Sequence, residues 1–476
     1  MRLLGSTGWG HLLVALAALW LAPAGASAQG AGIHTQSGCM TGRNGAGVAH
    51  PCQDGSAVYY NPAALVRENG AVSFGVTVID QAGSFVHDTT GTEVTRVPGS
   101  MIVPHGWATY RLSERIGLGL GVWQPYGLSV DWPVCPPEQP RCGTGFEGRF
   151  AGYAHSLRGV YLQPTIAYDV IPGRLSIGVG VDLVKGDIEI RRRLDLAEQT
   201  TGPFTFSQLG IAQGTDFADV RIAGDGWGVT GHVGALFRVS NGISVGARYL
   251  HSVELALDGT ADFTQVPTFL TVGPLGTIFP TTMSLDDFIA ASGVFEPGGV
   301  ASDQDFSTSI TLPAQAVAGI ALQLDPTLRV LLDYQWTQWS QWDQADVDFG
   351  VALDERLILD FEDAGTVRFG VDYALSDRVT VRGGFTLAEA AARDASVSPF
   401  LPDSERALFG GGMSYRASER LSLDVVAMTM NAASRRGRLV RRESIDETAE
   451  QLNGGLYSSD GQLFGATVTY HFGGTR

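Results

Sequence analysis

Beyond residue 28 the chain has no long apolar run: nothing there approaches the ~18 consecutive apolar residues that argue for a membrane helix. Charge is also scarce. Only 17% of the 476 residues are charged, and 32 Lys and Arg stand against 49 Asp and Glu. The net charge of −17 repels phosphate and excludes nucleic acid as a partner. The chain contains no Gly-x-Ser-x-Gly, no His-Glu-x-x-His and no nucleotide-binding loop. No nucleophile stands beside a marked base, so no catalytic residue, cofactor or enzymatic activity is expected.

Cysteine is limited to Cys39, Cys52, Cys135 and Cys142. All four follow an N-terminal segment with the features of a secretory signal. Arg2 leads, an apolar core spans residues 12–26, and Ala26-Ser27-Ala28 is a small-x-small cleavage site. Residues 1–28 therefore read as a signal peptide, and Gln29 rather than Cys follows the cut, which gives a lipid anchor no support. An even number of exported cysteines suggests disulfides, and proximity favours Cys39–Cys52 and Cys135–Cys142. His34 and His50 flank the first pair, but no ligand spacing supports a metal there.

What is abundant is glycine, 62 residues, and alternation with period 2. In residues 464–472, Phe464, Ala466, Val468, Tyr470 and Phe472 share one face, and Gly465, Thr467, Thr469 and His471 the other. Residues 328–336, 367–373 and 378–385 repeat the pattern. Many such strands reach ten residues or more, the ~9–11 a tilted barrel strand needs. Short turns near 111–115, 170–174, 239–242, 324–327, 375–378 and 416–420 alternate with long connections. That asymmetry is the outer-membrane pattern, with periplasmic turns against extracellular loops.

The fold expected is all-β, a transmembrane antiparallel β-barrel of about 14 strands. They fall near residues 70–79, 101–112, 115–126, 157–169, 174–190, 218–238, 242–256, 306–323, 327–340, 357–374, 377–387, 405–415, 420–432 and 461–472. Residues 29–69 precede the barrel of 70–476. Within them "AVYYNPAAL", residues 57–65, is apolar yet broken by Asn61-Pro62, so it suits neither a helix nor a central strand.

The polar strand faces carry Asp182, Arg248, Arg329, Asp333, Arg368, Asp372, Arg382 and Asp424. Charge facing lipid is costly, so these side chains point into the lumen. Mutual pairing is the plain reading. The sharper one gives Arg329 and Arg382 to a substrate carboxylate. The connection over 257–305 is too apolar for a loop in water. Its set is Phe269, Leu270, Leu275, Ile278, Phe279, Phe288, Ile289 and Phe295, which either pack together or form an interaction groove.

The chain resembles the FadL-type outer-membrane transporters of long-chain fatty acids and other hydrophobic compounds. The resemblance rests on "YYNPAAL", on "WQPYGLSVDW", on "LPAQAVAGIALQLDPTLRVLLDYQWTQWSQW", on "DAGTVRFGVDYALSDRVTVRGGF" and on the closing aromatic strand, in that order. It implies a 14-stranded barrel closed by an N-terminal hatch, here residues 29–69, with Tyr59, Tyr60, Asn61, Pro62 and Ala63 at its signature. It also implies capture of substrate between extracellular loops and sideways release at a kink in the third strand, here Trp123, Gln124 and Pro125. Pro125 cannot donate to the ladder. The cysteines depart from the family pattern. The Arg-rich residues 434–442 are expected to meet lipopolysaccharide. The partners expected are a hydrophobic small molecule and outer-membrane lipid, for a monomer. A diffusion pore for polar solutes and a structural or adhesive barrel are the competing readings.

Overall fold

The computed structural model describes residues 30–472 except 89, 136–145, 198, 202–203, 275–280, 351–354, 394–395, 399–400 and 438–453. The expected signal peptide lies outside the described residues.

Fourteen antiparallel strands close into a barrel. They are β1 (Ala71–His87), β2 (Gly99–Arg111), β3 (Ile116–Asp131), β4 (Ala154–Ile171), β5 (Leu175–Asp195) and β6 (Asp216–Ser240). β7 runs as Ile243–Leu250 and Val253–Gln265, and β8 as Gln304–Leu312 and Gln315–Gln323. β9 (Leu328–Thr337), β10 (Ala364–Ala374), β11 (Val379–Ala388), β12 (Arg406–Arg416), β13 (Leu421–Ala432) and β14 (Gly455–His471) complete the wall. β14 pairs with β1 from Ala71↔His471 to His87↔Gly455, which leaves no sheet edge at the closure.

Side-chain alternation sets the faces. Phe74, Ile102, Val229, Leu332 and Phe464 point outward and are exposed, as lipid-facing residues of a lone chain are. Tyr110, Tyr168, Tyr373, Tyr415 and Tyr470 lie outward beside the short turns and form an aromatic girdle at the periplasmic end.

Most strands run further than the apolar alternation indicates. Above the apolar band the ladder continues with polar residues on the outside, tied across strands by Lys185–Asp225 at 3.2 Å, Arg221–Glu189 at 2.8 Å and Arg221–Asp262 at 3.3 Å. Apolar periodicity marks the lipid belt, not the end of hydrogen bonding. β7 and β8 each break once, at neighbouring positions: Leu250 pairs with Gln315 below the breaks and Val253 with Leu312 above.

Residues 30–69 sit inside this barrel and are almost wholly buried. They form α1 (Gly38–Thr41), α2 (Ala57–Tyr60) and a 3₁₀ turn, Pro62–Arg67. Asn61 is extended, as a residue before proline should be, and Pro62 opens the turn where no donor is needed. The wall meets the motif with glycines. A Cβ at Gly178 would lie 2.4 Å from the Pro62 backbone, and one at Gly234 would lie 2.3 Å from Asn61 Oδ1. Part of the glycine content thus lets this segment approach the wall.

Candidate functional site

The lumen segment is fastened to the wall by named polar contacts. Arg43 and Asp372 form a bidentate pair, Nε–Oδ1 at 2.6 Å and Nη2–Oδ2 at 2.5 Å. The Asp333 carboxylate accepts the backbone N–H groups of Gly47 and Val48 at 2.7 and 2.8 Å. Asn61 donates to the carbonyls of Val48 at 2.7 Å and Ala235 at 3.0 Å, and its oxygen caps Ala63 N–H at 3.1 Å. A Cys39–Cys52 disulfide closes the stretch that carries Arg43, Gly47 and Val48. Cys135 is also disulfide-bonded, and Cys142 lies outside the described residues.

Toward the periplasmic side, burial pushes the Glu68 carboxyl up to about 8, with Asp54 nearby adding to the rise. Burial pushes the His50 imidazole down to about 3, helped by Arg329 and Arg43.

At Trp123, Gln124 and Pro125 the wall loses its ladder. β2 and β3 pair only from Gly106↔Val122 to Arg111↔Gly117, and the β3–β4 register shifts between Trp123 and Tyr126. The segment just before β2 meets β3 again above, where Val97 N–H donates to the Asp131 carbonyl at 2.9 Å. The seam between is filled by the start of the lumen segment. Ile33 N–H donates to Pro125 at 2.7 Å, and Gly127 N–H donates to Ala31 at 2.9 Å.

Aromatic side chains surround this seam. Trp123 is fully buried, with its ring stacked 5.5 Å from Trp107 and 5.6 Å from Tyr161. Tyr59 lies 5.6 Å from Trp123 and carries Arg248 over its ring at 4.4 Å. Gln315 joins Arg248, Tyr59 and Tyr126 through its amide, at 2.9, 3.3 and 2.8 Å.

Two largely apolar cavities lie in line. The upper one is lined by Ile188, Ile222, Phe306, Ile310 and Trp342. The lower one is lined by Ile33, Met101, Met428, Met430 and Leu463, and also by Arg368. Leu128 and Leu401 line both. Arg368 is buried, its Nε and Nη2 have no hydrogen-bond partner, and it makes no ion pair among the described residues. It also borders a void of about 10 Å³, room for one water, shared with Arg248 and Asp333.

Arg329 and Arg382 stand elsewhere. Both pair with Asp372, each at 3.3 Å, and Arg382 also reaches Asp424 at 3.2 Å. Neither lines the two apolar cavities. Their carboxylate partners belong to the protein, because the wall places Asp372 and Asp424 beside them.

The apolar loop residues largely pack on one another. Ile289 is buried in a cluster with Leu196, Phe206 and Phe217, and Leu270, Phe288 and Phe295 pack against it. The helix α3 (Leu285–Ala291) is capped by Ser284, whose hydroxyl accepts from Asp287 N–H. Phe269 differs. It is 63% exposed with φ at +55°, held by Asp286, which accepts the N–H groups of Thr268 and Phe269 at 2.7 and 3.0 Å. Leu275, Ile278 and Phe279 lie outside the described residues, as does 438–442 of the Arg-rich stretch.

Residues 19–472 match the model of the family described as outer membrane protein transport protein (OMPP1/FadL/TodX). The chain belongs to this family. It is 22% identical to Outer membrane protein P1 of Haemophilus influenzae, covering 96% of this chain and 98% of that one. It is 23% identical to the long-chain fatty acid transport protein of Escherichia coli, covering 90% and 92%. The crystal structure of a Pseudomonas aeruginosa FadL homologue superposes with a TM-score of 0.73 at 18% identity, over 94% of this chain and all of that one. As a FadL/TodX protein the chain resides in the Gram-negative outer membrane and belongs to a family of transporters of hydrophobic compounds.

Sequence reasoning missed Ala31–Ile33 as a strand partner of β3, since three residues carry no periodicity. It also missed Met428 and Met430, although they continue the inward series of Asp424 and Val426 on β13.

Proposed function

We propose that this protein is a passive importer of hydrophobic molecules, with residues 29–69 as its hatch. Substrate is captured among the extracellular loops, where Phe269 stands exposed. It then passes through the upper apolar cavity and past Leu128 and Leu401 into the lower one, and leaves sideways through the β2–β3 seam. The observation that carries this reading is that the lower cavity is lined by Ile33, on the very segment that fills the seam. An apolar solute partitions onto such surfaces and not into a water-filled pore.

Among hydrophobic compounds we favour long-chain fatty acids. Arg368 offers unpartnered guanidinium N–H groups at the edge of an apolar cavity, the complement of a carboxylate head. Aromatic hydrocarbons remain the second reading, supported by the Trp107, Trp123 and Tyr161 stack beside the seam. Oleate and toluene uptake, compared between a deletion strain and the same strain complemented, tests both. Equal uptake of every hydrophobic substrate in the two strains would remove the transport reading. A large steady conductance in planar bilayers would favour a diffusion pore instead.

A further inference from the structure

At Gln124, β3 has already left β2, and its backbone is met by a side chain instead of a strand. The Gln36 amide donates from Nε2 to the Gln124 carbonyl at 2.6 Å. Its Oε1 accepts the Gln124 N–H at 3.2 Å. One carboxamide therefore reproduces both hydrogen bonds of a ladder residue, at the position where Ala31–Ile33 have finished pairing with 125–127. Gln36 is fully buried, and its backbone is fixed as well. Its N–H donates to Tyr60 Oη at 3.2 Å, and that hydroxyl donates to the His34 carbonyl at 2.6 Å. Nε2 also reaches the Ile33 carbonyl at 3.2 Å, closing the turn between the short strand and the side-chain rung.

We infer that Gln36 is the latch of the lateral seam, a positioning residue that holds residues 31–36 against β3 and sets how readily the seam opens; this rests on the lateral route proposed above. The chemistry is specific to a carboxamide. A donor and an acceptor at fixed spacing match the paired C=O and N–H of one backbone residue. A carboxylate of the same shape still accepts the Gln124 N–H, but it sets two acceptors against the carbonyls of Gln124 and Ile33. An apolar side chain of similar length supplies neither bond. The rest of the hatch is fastened by contacts that do not involve Gln36, among them Arg43–Asp372 and Asp333 with Gly47 and Val48. Unlatching thus frees the first residues of the hatch and leaves its body in place.

The test uses the full-length protein in detergent and in cells, as wild type, Gln36→Glu and Gln36→Leu. Amide hydrogen exchange is read on peptides holding Ile33 and Gly127, with peptides holding Thr41 and Val48 as the internal reference. Both variants should speed exchange of the first set roughly tenfold or more and leave the second unchanged, because Gln36→Glu loses the two bonds that Nε2 donates and Gln36→Leu loses all three. Oleate uptake should rise severalfold in both. Unchanged exchange at Ile33 and Gly127 overturns the latch whatever uptake does. Faster exchange with wild-type uptake overturns it as a gate. If wild-type protein itself takes up no hydrophobic probe, the transport reading fails, and the exchange measurement still decides the latch.

Discussion

Arg43 of the hatch and Asp372 of β10 share two parallel hydrogen bonds across the lumen, and Arg329 and Arg382 crowd the same carboxylate. Asp372 keeps cationic partners when Arg43 is removed, so the wall tolerates the loss better than the hatch does. Arg43→Leu should leave the barrel folded by its heat-modifiable migration in gels, yet raise ion conductance in planar bilayers. The hatch should lose about 1.5–3 kcal/mol of local stability, the range for hydrogen bonds to a charged group, since Asp372 stays paired with Arg329 and Arg382. A conductance equal to wild type would show that the pair does not hold the hatch in place.

Asn61 uses its NH₂ group on two carbonyls, one in the hatch and one in the wall. Asn61→Asp keeps the shape and removes both donors, at a cost of about 1–3 kcal/mol for each carbonyl left unsatisfied. The expected result is a folded barrel with altered oleate uptake. Wild-type uptake in this variant would take the Asn-Pro-Ala motif out of any gating role.

Arg368 separates the two substrate classes. Arg368→Gln should weaken binding of oleate about tenfold or more, as loss of one charge-assisted contact does, and leave toluene binding within twofold. Calorimetric titration of both ligands checks it. Equal losses for the two would mean the variant disturbs the cavity and does not read a head group.

Glu68 and His50 give the periplasmic side of the hatch a pH dependence. The folded pKa of Glu68 is raised from 4.5 to about 8, so its contribution is fully present below about 4.5 and is lost as pH rises toward 8. His50 is lowered from 6.5 to about 3, so its contribution is present above about 6.5 and is lost as pH falls toward 3. Protection of the amides over residues 50–68, corrected for the intrinsic pH dependence of exchange, should therefore be greatest in mildly acid buffer. Glu68→Gln should flatten the alkaline limb alone, and an unchanged limb would assign it to another group.

Much of the barrel was legible because lipid and lumen impose opposite chemistry on alternate residues. Phe464, Val468 and Tyr470 face out while Thr467 and Thr469 face in, and one strand suffices to show it. The turns were legible for the same reason, since alternation stops there. The site was less so. The register sets a carboxylate opposite each arginine, Asp372 facing Arg329 and Asp333 facing Arg368, and Arg368 is left unpaired among the described residues because Asp333 accepts the Gly47 and Val48 N–H groups instead. The break in β8 at Pro313-Ala314 and its partner in β7 went unread, although the buried series of β7 slips from Arg248 and Leu250 to Val253 and Leu255, an odd-numbered step that an unbroken strand does not allow. The seam filler depends on three residues and one amide with no pattern at all.

The Cys39–Cys52 disulfide has a consequence for biogenesis. Both residues are at most 5% exposed, within a wall that closes by joining its first strand to its last. So little of either sulfur meets water in the closed barrel that oxidation in the periplasm is expected to precede the final strand pairing: cross-link first, enclose second.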